Sequence, residues 1–297
     1  MLALGERLAS GGVLLADGAL GTMLMGRGLE PGACPEALAL NRPGLLEEVA
    51  AAYAEAGADL VQADTFGGSP LKLALYGLGA RAAEINARAV EAARRGVAGR
   101  ALVYGSVGPS GRLLEPYGDA TEAEVLAGFA VQARALAEAG ADAVFVETMT
   151  DATEAALAVR ASKDAAPSLP VVATMTFDRT PRGFFTIMGV TVERACRVLE
   201  EAGADAVGSN CGNGSDAMVE IASEFLRHAR KPVAIQPNAG LPKATSGGLA
   251  YPEDPAYMAE RIRTLVALGV AIVGGCCGTG PEHVRAFREA LSRPGAR

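Results

Sequence analysis

One six-residue pattern occurs three times with almost no change: Ala54-Glu55-Ala56-Gly57-Ala58-Asp59, Ala137-Glu138-Ala139-Gly140-Ala141-Asp142 and Glu200-Glu201-Ala202-Gly203-Ala204-Asp205. Each copy closes an amphipathic helix with a glycine at its cap and leads straight into an apolar strand. A looser fourth copy, Ala267-Leu268-Gly269-Val270-Ala271, stands near the C-terminus. Between successive copies there is room for one more strand and helix, and the sequence supplies them. Residues 103–107, 171–175 and 233–236 read as strands, each followed by a helix predicted to begin near Thr121, Thr191 and Pro255 respectively. With residues 13–16 at the front the count is eight strands, and the repeat marks the second, fourth, sixth and eighth.

Strands that are apolar on both faces and alternate with helices belong to a parallel sheet. Eight such units in 297 residues predict an α/β fold, a (β/α)8 TIM barrel, as one domain over residues 1–297. An open doubly wound sheet is disfavoured because no Gly-x-Gly-x-x-Gly follows the first strand. No apolar run is long enough for a membrane span, and the N-terminus lacks the order of a secretory signal, so the expected location is cytoplasmic. A net charge of −7 argues against nucleic acid as a partner.

In a barrel of this kind, chemistry sits where the strands end. Those ends read Asp17-Gly18, Asp64-Thr65-Phe66, Gly108-Pro109, Glu147-Thr148, Thr176-Phe177-Asp178, Asn210-Cys211, Pro237-Asn238 and Gly275-Cys276-Cys277. Five cysteines in a chain of this length make no disulfide framework. Adjacent cysteines bond to one another only with strain, but past a strand end, with glycines beside them, both can reach one soft metal ion. Cys276 and Cys277 fit that description, and Cys211, in the same register on the same rim, supplies a third thiolate. Cys34 and Cys196 read as small buried hydrophobes. Three protein ligands leave a zinc ion one open position, the mark of a catalytic site.

Zinc with three thiolates carries a formal charge of −1, which makes it a poor generator of hydroxide. A thiol suits the fourth position, because coordination removes its proton and leaves an electron-rich sulfur able to attack carbon. These features predict a zinc-dependent thiol methyltransferase. A lyase or isomerase with a phosphate site at Gly274-Gly275 is the rival from another class; it loses because no lysine ends a strand and paired cysteines serve no phosphate loop. A non-catalytic zinc- or thiol-binding subunit of a methyltransferase complex is the third reading.

The ordered motifs Asp17-Gly18-Ala19-Leu20-Gly21-Thr22, Asp64-Thr65-Phe66-Gly67, Gly108-Pro109, Glu147-Thr148, Asn210-Cys211, Pro237-Asn238-Ala239-Gly240 and Gly274-Gly275-Cys276-Cys277-Gly278-Thr279 resemble the homocysteine S-methyltransferase family over essentially the whole chain. Within it they are most similar to the homocysteine-binding barrel of cobalamin-dependent methionine synthase. The resemblance implies zinc on Cys211, Cys276 and Cys277, with homocysteine thiolate as the fourth ligand and methionine as the product. It implies that Asp17, Gly18, Thr65, Phe66, Glu147 and Asn210 serve homocysteine, and that Asn238 lies beside the metal. The loop after the fifth strand, residues 178–189, lacks the Arg-Thr-Leu-Ser-Gly run of the synthase module. No pterin- or corrinoid-binding segment is present, so the methyl donor is expected from outside. Small cationic donors such as betaine or a methylsulfonium need an aromatic cage, and the chain has no Trp and six Tyr. That favours methylcobalamin on a separate corrinoid protein; Phe184, Phe185, Ile187 and Met188 read equally as an apolar contact surface for it or as a lid that packs onto its own barrel.

Overall fold

The computed structural model describes residues 4–245 and 248–293. Eight strands make up the main sheet: β1 (Leu14–Leu15), β2 (Leu60–Ala63), β3 (Leu102–Val107), β4 (Ala143–Met149), β5 (Val171–Met175), β6 (Ala206–Asn210), β7 (Val233–Gln236) and β8 (Ile272–Val273). All pairings are parallel, in the order β1-β8-β7-β6-β5-β4-β3-β2, and a bridge between Ala16 and Leu60 joins the two ends. The barrel is outlined by helices α1 (Pro43–Glu55), α2 (Ala82–Val97), α3 (Glu122–Glu138), α4 (Ala152–Ala165), α5 (Val192–Glu201), α6 (Ser215–His228), α7 (Pro255–Leu268) and α8 (Pro281–Ser292). This is the (β/α)8 barrel that the alternation predicts.

Helix starts follow their capping chemistry. Thr121 and Glu124 form a capping box at α3, Thr191 caps α5, and Asp254 with Pro255 opens α7. The repeated Gly-Ala-Asp has a structural cause of its own. Gly57, Gly140 and Gly203 turn the chain out of its helix with φ of 99°, 82° and 106°, a region that side chains with a Cβ avoid. Each following aspartate then grips the neighbouring odd strand twice. Asp59 donates its N–H to the Leu15 carbonyl at 2.7 Å and accepts the Leu15 N–H at 2.9 Å. Asp142 does the same with Val103, and Asp205 with Val171. The fourth copy has Ala271 at this place, which keeps only the backbone half, its N–H bonding the Val233 carbonyl at 2.9 Å.

Inside the barrel, the strand period of two separates an apolar floor from a polar ceiling. Leu14, Leu60, Leu102, Tyr104, Phe145, Val172, Ala206, Ala234 and Ile272 pack together within it, joined by Leu4 and Leu8 of the N-terminal helix Leu4–Ala9. Two residues further along the same faces stand Gln62, Ser106, Glu147, Thr174 and Gln236, all buried or nearly so. The outer faces of the strands meet the helices in a second, larger apolar core.

Two antiparallel hairpins interrupt the βα loops, one pairing Asp178–Thr180 with Gly183–Phe185 after β5, the other Lys243–Thr245 with Gly248–Ala250 after β7. The first corrects the expected contact surface. Phe184 is buried, with the Arg179 guanidinium 4.9 Å from its ring, and Phe185 is half-buried under Arg182. A chain that turns back in a hairpin points alternate side chains inward, so only Ile187 and Met188, beyond the turn, remain exposed. Among the described residues no helix is long and apolar enough to cross a membrane.

Candidate active site

The polar ceiling opens into a cavity of about 280 Å³ at the carboxyl ends of the strands. On one side of it lie the three cysteines. Asn210 ends β6, and the chain then turns sharply through Cys211 and Gly212 at φ of 59° and 74°. A positive φ at a residue other than glycine costs about 1 kcal/mol or more, so the surroundings must hold Cys211 there. They do so with its N–H on the Gln236 carbonyl at 3.1 Å and its carbonyl on the Asn213 N–H at 2.8 Å. The loop after β8 is pinned in the same way: Cys276 N–H donates to Pro237, Cys277 carbonyl accepts from Ala239, and Thr279 closes on Cys276. The three sulfurs lie within 4.8 Å of one another, and Cys211 Sγ is 3.8 Å from Cys277 Sγ. A tetrahedral zinc with Zn–S bonds of about 2.3 Å sets its sulfurs about 3.8 Å apart, so the spacing fits that ion.

The electrostatics also fit a cation. Hydrogen bonds from Cys276 and Cys277 draw Cys211 down to about 3, while Cys277 is pushed up to about 11 and Cys276 well above the usual thiol range. Three sulfurs in contact thus ease the ionisation of one thiol at the expense of the other two. A divalent cation is what would let all three ionise. Asn238, on the loop after β7, donates a side-chain hydrogen bond toward Cys211, and its buried Oδ1 has no partner among the described residues. Tyr251 covers the cluster: its ring lies where a Cβ on Gly278 would stand, and its hydroxyl bonds Cys277. Burial and the neighbouring thiolates push its phenol up to about 12.

Carboxylates line the opposite part of the cavity. Glu147 accepts from Gln62 Nε2 at 2.7 Å, from the Ser106 hydroxyl and from Asn210 Nδ2 at 3.2 Å. Asp17 accepts the Gln62 N–H at 2.7 Å and the Tyr104 hydroxyl at 2.9 Å. Burial raises both carboxyls to about 7, and Glu147 adds its charge against Asp17. Two acids held at the edge of ionisation beside a cavity form a natural seat for one cation.

Asn210 links the two halves. Its Oδ1 accepts from Thr148 N–H and Thr174 Oγ1, and its Nδ2 reaches Glu147, Thr148 Oγ1 and, at 3.8 Å, Cys276 Sγ. The structure therefore brings Gly18, Phe66, Glu147, Cys211, Cys276 and Cys277 to the cavity wall. Asp17, Asn210 and Asn238 stand directly behind it. Thr65 does not reach it; its hydroxyl bonds the Ser106 carbonyl and accepts the Ser106 N–H, fastening the β2 loop to β3. Sequence reasoning missed Gln62, Tyr104, Ser106, Gln236 and Tyr251. The first four carried a signal, since each is polar or half-polar on the inward face of its strand, between the strand's last residue and three places before it. Cys196 is buried as expected, whereas the Cys34 thiol also donates to Glu36 Oε2 at 3.2 Å.

Residues 14–291 match the model of the homocysteine S-methyltransferase family. The chain belongs to the homocysteine S-methyltransferase family. It is 36% identical to the methionine synthase of Mycobacterium leprae over 301 residues, covering 95% of this chain and 24% of that protein. The methionine synthase of Mycobacterium tuberculosis is likewise 36% identical, over 94% of this chain and 25% of its own length. The chain thus spans about a quarter of these relatives. Among solved structures, the homocysteine methyltransferase MmuM of Escherichia coli, in its metallated form, superposes with a TM-score of 0.76 at 24% identity, covering 93% of this chain and 96% of that one. That likeness speaks for the barrel fold.

Proposed function

We propose that this member of the family transfers a methyl group to the thiol of homocysteine, giving methionine, with a zinc ion on Cys211, Cys276 and Cys277. The observation that carries the reading is the cluster of three sulfurs at tetrahedral spacing on the wall of the same cavity as Glu147, with Asp17 behind that wall. Zinc bound there would hold the substrate sulfur as a thiolate at neutral pH.

The protein's own groups divide the remaining work. Glu147 and, through the cavity floor, Asp17 balance the substrate ammonium, and Gln62, Ser106 and Asn210 hold the Glu147 carboxylate in place. The wall at Gly18 and Phe66 takes the carboxylate end. Asn238 orients Cys211 and offers its unpartnered oxygen to the cation when no thiol is present. In the transfer the sulfur forms a bond to the methyl carbon while the bond from that carbon to its carrier breaks, and the electron pair leaves with the carrier. In-line displacement requires the donor to approach through the open rim.

The proposed donor is a methylcorrinoid carried on another protein. Exposed apolar side chains stand on several loops that follow the strands, Leu113, Tyr117, Ile187 and Leu241 among them, and Met25 is both exposed and on the cavity wall, as a protein contact needs. A small cationic donor is the second reading, favoured by Phe66 and Tyr251 on the cavity wall. Turnover of homocysteine with a methylcorrinoid protein, S-methylmethionine or betaine separates the two. Metal analysis and zinc-edge X-ray absorption test the centre: three sulfurs should become four when homocysteine is added. An unchanged sulfur count would reject the thiol as a ligand.

A further inference from the structure

The carboxyl of Asp64, at the end of β2, lines the cavity with only 5% of the residue exposed. Its Oδ2 is buried and has no hydrogen-bond partner among the described residues. Beside it on the same wall is Glu36, from the segment between β1 and α1, also buried. The two acids are not alike. Glu36 Oε1 accepts the Gly67 N–H at 2.5 Å, and Oε2 accepts from the Cys34 thiol at 3.2 Å. Both oxygens of Glu36 are thus engaged by donors of the protein, whereas Asp64 Oδ2 has none. A second buried anion next to it, with neither donor nor cation, is strongly unfavourable.

We propose that Asp64 is a hydrogen-bond donor to the carboxylate of the amino-acid substrate, and so sets the preference of this pocket for an α-amino acid over a plain aminothiol. A carboxyl that keeps its proton is a donor, whereas an ionised one only accepts. Burial and the charge of Glu36 hold Asp64 well above the usual carboxylate range. Gly18 and Phe66 form the adjoining wall, and neither main-chain N–H donates a hydrogen bond among the described residues. These two N–H groups and the Asp64 carboxyl are the donors that this part of the wall can offer a substrate carboxylate. The inference rests on homocysteine being the acceptor.

The test titrates zinc-loaded protein with homocysteine and with 3-aminopropane-1-thiol, which keeps the thiol and ammonium but lacks the carboxylate. Asp64→Leu should lose roughly ten- to hundredfold in homocysteine affinity and less than about twofold for the analogue. Asp64→Asn, nearly isosteric and still a donor, should stay within about threefold of the wild type for both. Zinc content and thermal unfolding of each variant report that the fold is kept. An Asn variant as weak as the Leu variant would show that Asp64 acts as an anion, and equal losses for the two ligands would show a structural role; either overturns the inference while the acceptor stands. A wild-type protein that binds neither ligand would overturn the acceptor and the inference together.

Discussion

The two ends of this barrel use the same residue type in opposite ways. At the amino-terminal end Asp59 is held by two backbone groups of β1 and by Arg7 and Arg288, at 2.8 and 2.6 Å. Burial acts to raise its carboxyl, but the hydrogen bonds from Arg7, Leu15 and Arg288 outweigh it and hold the group below the usual range. Asp142 and Asp205 have the same backbone grip, with Arg94 and Lys163 beside them. At the carboxyl end Asp17, Asp64 and Glu147 are more deeply buried, have no cation among their partners, and are all raised. A carboxylate already satisfied by the protein stabilises the fold; one left short of a cation or a donor waits for a ligand. The contrast locates function at one end without reference to any relative.

The sharpest way to break the comparison is to remove a group from the carboxyl end and find that only function suffers. Cys276→Ala or Cys277→Ala should abolish bound zinc and reduce methyl transfer by on the order of a thousandfold or more, with the far-ultraviolet spectrum unchanged. Stoichiometric zinc in either variant, measured by mass spectrometry of the metal, would dissolve the proposed centre. Glu147→Gln comes next. It should raise the homocysteine KM by roughly ten- to a hundredfold, because a charge-assisted hydrogen bond to the ammonium is lost, while zinc content stays at wild-type level.

The opposite end should show the reverse. Asp59→Ala removes the side-chain acceptor of the Leu15 N–H and the carboxylate facing Arg7 and Arg288, the latter keeping its bonds to the Gly57 carbonyl, so unfolding in denaturant should reveal a loss of about 2 to 3 kcal/mol with kcat/KM little changed. The pH dependence separates the ends further. Burial pushes the Asp17 and Glu147 carboxyls up to about 7 in the folded chain, against ordinary values of 3.8 and 4.5. Between those values the folded chain binds more protons than the unfolded one, so their contribution to stability is present at low pH and is lost as pH rises through about 7. Asp59 has the opposite sign: its contribution is present at neutral pH and is lost as pH falls through its lowered folded value. Denaturation of metal-free protein at several pH values should therefore show an Asp17→Asn, Glu147→Gln double variant gaining on the wild type as pH rises from about 5 to about 7, by up to about 1.4 kcal/mol per pH unit for each carboxyl.

The sequence made the barrel legible because its signals are local and repeated. A glycine that must take positive φ, followed by an aspartate that must meet two backbone groups, recurs wherever an even strand is entered, until Ala271 breaks the pattern without breaking the fold. The thiol cluster was legible for a different reason, since adjacent cysteines at a strand end have few other uses. The framework behind the site was less so. Gln62 and Ser106 reach Glu147 only across the barrel interior, from strands 40 to 90 residues away, and nothing in the local sequence of β2 or β3 names that partner. Asp64 was quoted only as part of a motif, because its singular state depends on Glu36 and on what fails to bond it. The loop after β5 leaves contact surface and lid open in sequence, since four apolar residues in five look alike there, and only the folded chain separates the buried Phe184 from the exposed Ile187.

That hairpin supplies the smallest expected effect and the one that bears on the donor. Ile187 is 79% exposed and Met188 38%, on the rim of the cavity mouth, so their burial stabilises nothing within the chain. A protein bringing a methyl group to the sulfur must cover this rim, and burying two such side chains at an interface contributes on the order of 1 to 2 kcal/mol. Ile187→Ser with Met188→Ser should therefore raise the KM for a methylcorrinoid protein about five- to tenfold, with homocysteine affinity, zinc content and unfolding midpoint unchanged. Phe184→Ser offers the control, because Phe184 is buried under its own hairpin and should lower stability instead. Full turnover with S-methylmethionine or betaine, insensitive to the Ile187 and Met188 changes, would show that the exposed rim is not the donor's contact and that the donor enters the cavity itself, past Phe66 and Tyr251.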